Sequence, residues 1–320
     1  MPQVSVVIPV FNSARLIGHA LRSVFAQTFR DFEVIVVDDG SEDHEDLERA
    51  LREWDGRIRR VRQANHGPGH ARNTGLRLAS GNLVAFLDAD DEWVDGKLAG
   101  QVEYFDRYPE TGLLHTGVVG ESSPGAVAEG PPRHVFCDLY HTAFFVKTLT
   151  VMVPRRVLQD VGGFDERREI HIEDWDLWLR IAARYPIGYL SQPLAIHRRG
   201  GWMSRHVERT YAAQLLVMEK SQDLCRLACP DHRAAPAACD RRRRHVLHRD
   251  WGCSRKEMGD ARGAREQFVR ALAQSPFDLR TGLLYFSTFL SLRWRSRLKR
   301  IGSAATRLAL RDRRERVRAA

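Results

Sequence analysis

Apolar residues dominate Val4–Val10, and a second apolar run closes at Phe32–Asp38. Between them, Ala14, Leu16, Ile17, Ala20, Leu21, Val24 and Phe25 recur at helical spacing. That spacing predicts an amphipathic helix with Ser13 as its N-cap. Strand, helix and strand in close succession form a βαβ unit, whose crossover requires parallel pairing and a right-handed connection. A weaker apolar segment follows at Ile58–Val61, and helix Gly69–Ala79 leads through the Ser80-Gly81-Asn82 turn into a strand at Leu83–Leu87. Unbroken stretches such as Val34-Ile35-Val36-Val37 suit a sheet covered on both faces. Residues 1–110 therefore read as an open α/β sheet, mostly parallel and flanked by helices.

The pattern is mixed over residues 111–204. Gly/Pro-rich Glu121–Pro132 reads as a mobile loop, Leu149–Val153 as a further strand and Glu173–Tyr185 as a helix. From Val207 onward the chain reads as helices, interrupted near Cys229–Ala238 by Pro230 and Pro236. Gly259–Gln274 has the style of the second helix of a helical repeat, but a single copy defines no array. The expected organisation is a sheet domain over residues 1–204 and a helical, basic C-terminal region over 205–320.

Composition narrows the class. Hydrophobic content of 43% and charged content of 28% are globular values and exclude wholesale disorder. The longest apolar stretches fall short of the roughly 20 residues of a spanning helix, and Met-Pro-Gln-Val-Ser-Val carries no basic region of a secretory signal. Cys137, Cys225, Cys229, Cys239 and Cys253 are an odd, loosely spaced set, expected as reduced thiols in a cytoplasmic chain. Cys225, Cys229, His232 and Cys239 match no standard zinc spacing, so scattered buried thiols are the expected explanation.

The net charge of +9 hides an asymmetry: residues 205–320 carry 27 Lys and Arg against 12 Asp and Glu, while residues 1–204 are net acidic. Arg241–Arg244 and the Arg293–Arg318 segment come without a recognised nucleic-acid module. Apolar residues interleave the latter, so peripheral contact with an anionic membrane, at the inner face of the cell membrane, is expected rather than nucleic acid.

Ligands of an open parallel sheet bind beyond the carboxyl ends of its strands. There the sequence places Pro9-Val10-Phe11-Asn12, Asp38-Asp39-Gly40-Ser41 and Asp88-Ala89-Asp90-Asp91. Acidic pairs at adjacent strand ends repel unless something positive sits between them. A divalent cation with a diphosphate is the simplest neutraliser, since Mg2+ is usually held by carboxylates and phosphate oxygens. The plainer reading is that Asp38 and Ser41 form turns or cap the next helix. Asp174 likewise has a plainer role, as a cap or dipole partner of the helix it begins.

Five segments carry a resemblance: Val-Ser-Val-Val-Ile-Pro-Val-Phe-Asn, Gln-Thr-Phe-Arg-Asp-Phe-Glu-Val-Ile-Val-Val-Asp-Asp-Gly-Ser, Ala-Arg-Asn-Thr-Gly-Leu, Leu-Asp-Ala-Asp-Asp, and Gly162-Gly163-Phe164-Asp165-Glu166 followed by Glu173-Asp174-Trp175-Asp176-Leu177. In this order, over residues 3–204, the chain resembles glycosyltransferase family 2. The resemblance implies a GT-A-type (Rossmann-like) fold and inverting transfer of one sugar from a nucleoside-diphosphate sugar, expected to be UDP-linked, to a glycan or lipid-linked acceptor. It implies that Pro9, Phe11 and Asp39 hold the nucleotide, with Arg72 near the base or phosphates and Asp88 near the ribose. Asp90 is expected to ligate Mn2+ or Mg2+, Asp174 to act as general base, and Glu173 and Trp175 to lie on the acceptor side. Family members often place a His in a segment ending Met-Ser. Aligning on Met203-Ser204 puts Arg199 there, so Arg199 or His197 is expected at the diphosphate. Arg neutralises phosphate but does not ligate metal as neutral His does.

Gly67-Pro68-Gly69-His70-Ala71-Arg72 lacks the third glycine of a dinucleotide fingerprint. A processive synthase would carry spanning helices and a Gln-x-x-Arg-Trp motif, neither of which is read here. The rival of another class is a non-catalytic nucleotide- or glycan-binding module with a helical tail that docks a partner. Asp90 and Asp174 argue against it.

Overall fold

The computed structural model describes residues 1–121, 130–142, 146–198 and 207–289. Residues 122–129 of the Gly/Pro-rich stretch, Arg199, Met203-Ser204 and the basic segment 293–318 lie outside the described residues. The chain divides into two compact units, Met1–Cys239 and Asp240–Ala320.

In the first unit the order is β1 (Val4–Val10), α1 (Ile17–Phe25), β2 (Phe32–Asp38), α2 (His44–Leu51), β3 (Arg59–Arg62), α3 (Pro68–Leu78), β4 (Leu83–Phe86), β5 (Glu92–Trp93), α4 (Lys97–Arg107), β6 (Leu113–Val118), α5 (Phe136–Thr142), β7 (Met152–Pro154), α6 (Arg155–Val161), α7 (Glu173–Ala182) and β8 (Ile187–Ile196). Helices α8 (Val207–Lys220), α9 (Gln222–Ala228) and α10 (Pro230–Ala234) follow, and α11 (Pro236–Glu257) runs on into the second unit. The strands form one sheet ordered β3-β2-β1-β4-β7-β6-β8-β5. The β3-β2-β1-β4 half is parallel, and β7 joins antiparallel between β4 and β6.

Strand β1 shows why the first half forms. Its even residues Val4, Val6, Ile8 and Val10 join Ile17, Leu21 and Val24 of α1 in one core cluster. On the opposite face a Cβ on Gly75 of α3 would lie 2.3 Å from Val7 Cγ1. A buried strand with helices on both faces must be apolar at every position, which is the pattern the sequence carries.

The structure moves several sequence expectations. Ser13 is not the N-cap of α1. Its hydroxyl donates to Phe11 O (3.0 Å), its carbonyl accepts from the Leu16 and Ile17 amides, and Leu16 is the capping residue. The segment Leu149–Val153 splits into a 3-10 turn at Thr148–Thr150 and β7, and α7 stops at Ala182. The acidic ends of β2 and β4 are not adjacent, because β1 runs between them. Strands β6 and β8 were not read from the sequence. Strand β6 buries polar His115 and Thr116, and β8 pairs with it through an irregular register near Gly117 and Pro193.

In the second unit, the remainder of α11 precedes α12 (Ala261–Gln274) and α13 (Leu279–Ser287). Asp260 and Asp278 cap these by accepting from the Gly263 and Thr281 amides, at 2.8 and 3.0 Å. Phe268 is fully buried and packs where Gly252 leaves no side chain.

Candidate active site

The carboxyl ends of β1, β2 and β4 open onto one edge of the sheet. After β1, Phe11 stands 46% exposed, and Asn12 turns the chain at a positive φ of 50°. Asn12 Oδ1 accepts from the Glu42 amide at 2.8 Å, and its own amide donates to Ser41 Oγ at 3.1 Å. Pro9 is half-buried beside Val37 of β2. The two loops are thereby knitted together.

Asp38 takes the plainer role: Oδ1 accepts from the Ser41 amide at 2.8 Å, while His44 and Arg62 face Oδ2. Gly40 makes the turn possible, with φ +74° and the Asn65 amide where a Cβ would sit. Asp39 is buried and holds the loop ahead of α3. Its Oδ1 accepts from Gln63 Nε2 (2.7 Å) and the His66 amide (3.0 Å), and Oδ2 accepts from the Gly67 amide (2.8 Å).

Each polar residue of Ala71-Arg72-Asn73 on α3 has a distinct partner. Asn73 donates to Phe164 O and accepts from the Phe164 amide, both at 2.9 Å, which docks the Gly162-Gly163-Phe164 turn. Arg72, 5% exposed, reaches Asp88 Oδ1 at 2.7 Å with Nη2 and Glu173 Oε1 with Nη1. Its guanidinium lies over the Phe164 ring. The charges of Asp88 and Glu173 outweigh burial and hold it firmly protonated. Its Nε is buried and has no hydrogen-bond partner among the described residues. Arg72 thus joins the end of β4 to the start of α7.

Beyond β4, Asp88 is half-buried, Asp90 exposed and Asp91 buried. Partial desolvation and the nearby Asp88 charge raise the Asp90 carboxyl above its ordinary range. The same causes push Asp91 up to about 8, although the Arg198 amide donates to its Oδ1 at 3.0 Å. Opposite, Asp174 Oδ2 accepts from Thr148 Oγ1 (3.0 Å) and Oδ1 from the Trp175 amide (2.7 Å). Burial raises Asp174, with a further push from Asp88 and a partial offset from Arg72. Asp174 is not the cap of α7, whose N-cap is Ile172. Trp175 does not line a cleft: it is 1% exposed, and its indole donates to Leu139 O at 3.0 Å.

His197 Nδ1 lies 3.2 Å from Lys147 Nζ and 3.5 Å from Glu121 Oε1. His197 also acts electrostatically on Asp90, and Lys147 on Asp91. Lys147 and Thr148 lie beside these carboxylates and were not singled out from the sequence, and Asp91, read there among the strand-end acids, was given no role of its own. Lys147 and Thr148 belong to no run of acidic or glycine-rich residues, and only the 3-10 turn brings them to the edge.

Residues 5–136 match the family model "Glycosyl transferase family 2". The amylovoran biosynthesis glycosyltransferase AmsB of Erwinia amylovora is 31% identical over 208 residues, covering 60% of this chain and 68% of that protein. Several curated relatives match over only 33–36% of their own length, so the chain spans about a third of them. Among solved structures, Staphylococcus aureus TarS 1–349 in complex with UDP-GlcNAc aligns with TM-score 0.58 and 21% identity, covering 89% of this chain and 91% of that one. The mannosyltransferase PcManGT of Pyrobaculum calidifontis, in complex with GDP-Man and Mn2+, aligns with TM-score 0.59 and 21% identity, covering 95% and 81%. The fold is of the GT-A glycosyltransferase type. The chain belongs to glycosyltransferase family 2.

Proposed function

We propose that this chain transfers a single sugar, with inversion, from a nucleoside-diphosphate sugar to a hydroxyl of a glycan or lipid-linked acceptor. The observation that carries the reading is Arg72, which ties Asp88 at the end of β4 to Glu173 at the start of α7. Donor-side and acceptor-side carboxylates thereby face one site, with Asp174 beside the junction.

Phe11 offers an exposed ring on which a base stacks, and Pro9 stiffens the strand end beneath it. Asp39 has three of its roughly four acceptor positions filled, leaving Oδ2 a lone pair for a base N–H. The donor set beyond β4 suits a hard divalent cation: exposed carboxylate oxygen on Asp90, with a raised protonation range that a cation would relieve. Asp90, supported by Asp88, would hold Mn2+ or Mg2+, which supplies Lewis-acid stabilisation of the departing diphosphate. Lys147 adds positive charge on the same side, with His197 beside it.

Displacement at the anomeric carbon forms the new C–O bond as the bond to the diphosphate breaks. The acceptor hydroxyl must lose its proton as it attacks, and Asp174, whose proton affinity is raised by burial, is the base this reading assigns to it. A carboxylate whose affinity for protons is raised is a better base than an ordinary aspartate, provided it is ionised at working pH. Glu173, paired to Arg72, positions α7 rather than moving protons.

Release of nucleoside diphosphate from a panel of donors, with acceptor and Mn2+ present, tests the reading. Asp174→Asn and Asp90→Ala should each lower turnover by about 100-fold or more. Undiminished turnover in either variant contradicts the assigned role, and no release across the panel favours a binding module. The basic, apolar-interleaved segment 293–318 supports a further element of the proposal, docking to anionic lipid at the inner face of the cell membrane. Equal partitioning of full-length and truncated protein onto anionic vesicles would refute it. Among the described residues, no helix is long and apolar enough to cross a membrane.

A further inference from the structure

Away from the sheet edge, the first unit gathers thiols that the sequence leaves scattered. Cys225 and Cys229 stand one helical turn apart at the end of α9, with the Cys229 amide bonded to Cys225 O at 3.0 Å. Cys239 lies in the first turns of α11, and His141 comes from α5, far upstream. Ligand atoms of His141, Cys229 and Cys239 all lie within 4.8 Å of one another. Cys239 Sγ is 3.5 Å from His141 Nε2. Cys225, one helical turn before Cys229, is not among those three but interacts with both Cys229 and Cys239. Cys225 and Cys229 are fully buried, Cys239 is 4% exposed and His141 8%.

We propose that Cys225, Cys229, Cys239 and His141 form a Cys3His site for a structural Zn2+. Zinc bonds of about 2.3 Å to sulfur and 2.0–2.1 Å to nitrogen, at a tetrahedral angle, separate the two donors by about 3.6 Å. That is the edge seen between Cys239 and His141. Three thiolates and one imidazole are also a common donor set of closed, structural zinc sites. A cysteine ligates zinc as its thiolate. Each cysteine that ligates therefore releases its proton to solvent, and metal uptake weakens as pH falls.

The sequence reading took Cys225, Cys229, His232 and Cys239 for scattered thiols, whereas the structure brings Cys229 and Cys239 together with His141. The side chain of His232 lies outside the described residues, and His141 occupies the position beside Cys239. No linear zinc motif was visible because one ligand sits upstream of the rest, on the helix whose Leu139 carbonyl receives the Trp175 indole of α7. A metal here clamps α9 and the start of α11 onto α5, and so supports the helix that carries Asp174.

The test uses the full chain purified without chelator, with metal content measured by plasma mass spectrometry. One equivalent of zinc per chain is expected. It should persist in Asp90→Ala and in Cys137→Ser and Cys253→Ser, which alter thiols outside the cluster. It should be lost in Cys229→Ser and Cys239→Ser. Because those variants may misfold, Co2+ exchanged into the wild-type chain supplies a second readout, the absorption bands of tetrahedral thiolate coordination. Wild-type protein that is metal-free, with its thiols titrating as free or as a disulfide, overturns the proposal. So does zinc that is retained when Cys229 and Cys239 are both replaced, or cobalt spectra without thiolate bands.

Discussion

At the scale of single residues, the site is governed by which carboxylates are paired and which are left to protons. Asp174 works as a base only when ionised, so turnover should fall as pH drops through its raised range, at higher pH than for an ordinary aspartate. Thr148 donates to the ionised carboxylate and thus holds that range down. Thr148→Val should therefore move the acid limb of the kcat/KM profile to higher pH. An unmoved limb would assign that limb to another group. Removing Arg72 acts differently, since it leaves Glu173 buried without its cation. Arg72→Ala should cost about 3–5 kcal/mol of stability in urea denaturation, whereas a loss below about 1 kcal/mol would show the pair to be loosely solvated. The acidic residues at strand ends were legible in the sequence because position after a β-run implies chemistry. Residue type alone left Trp175 open between an acceptor-side and a core position, and its 1% exposure puts it in the core. Lys147 and Thr148 gave no signal at all, since only tertiary packing brings them near Asp174 and Asp91.

At the scale of elements, α3 is the organising piece. One face packs so closely on β1 that Gly75 leaves no room for a methyl beside Val7, and its polar residues bind the Gly162-Gly163-Phe164 turn. Gly75→Ala should overpack this contact and destabilise by about 1–3 kcal/mol. Asn73→Ala should cost a similar amount by leaving the Phe164 amide and carbonyl without their partner. Both are measurable by chemical denaturation, and a neutral Gly75→Ala would mean that α3 lifts freely from the sheet. The parallel half of the sheet was legible because strands buried on both faces must be apolar throughout. In the other half only β7 was read, as part of Leu149–Val153, and β6 and β8 were not, because buried His115 and Thr116 and the bulged Pro193 region break that pattern. Sequence also placed the ends of β2 and β4 side by side. Strand order is a long-range property that local periodicity does not encode, and β1 lies between them.

At the scale of the whole molecule, the acidic edge of the first unit is an incomplete electrostatic arrangement that a cation and a diphosphate would complete together. Asp88, Asp90 and Asp91 crowd one turn, and Asp90 and Asp91 are raised by desolvation first and by the Asp88 charge second. A ligand that binds only the folded state raises its apparent stability, so nucleoside diphosphate and Mn2+ should shift the unfolding temperature more together than the sum of either alone. The most direct measurement is calorimetric titration of nucleoside diphosphates into the wild-type chain, Asp90→Ala and Asp174→Asn, with and without Mn2+. Binding should require Mn2+, weaken by at least about tenfold in Asp90→Ala, and be unchanged in Asp174→Asn, whose turnover is nevertheless abolished. Equal binding with and without metal, or intact binding in Asp90→Ala, would contradict the assignment of the strand-end carboxylates to the donor.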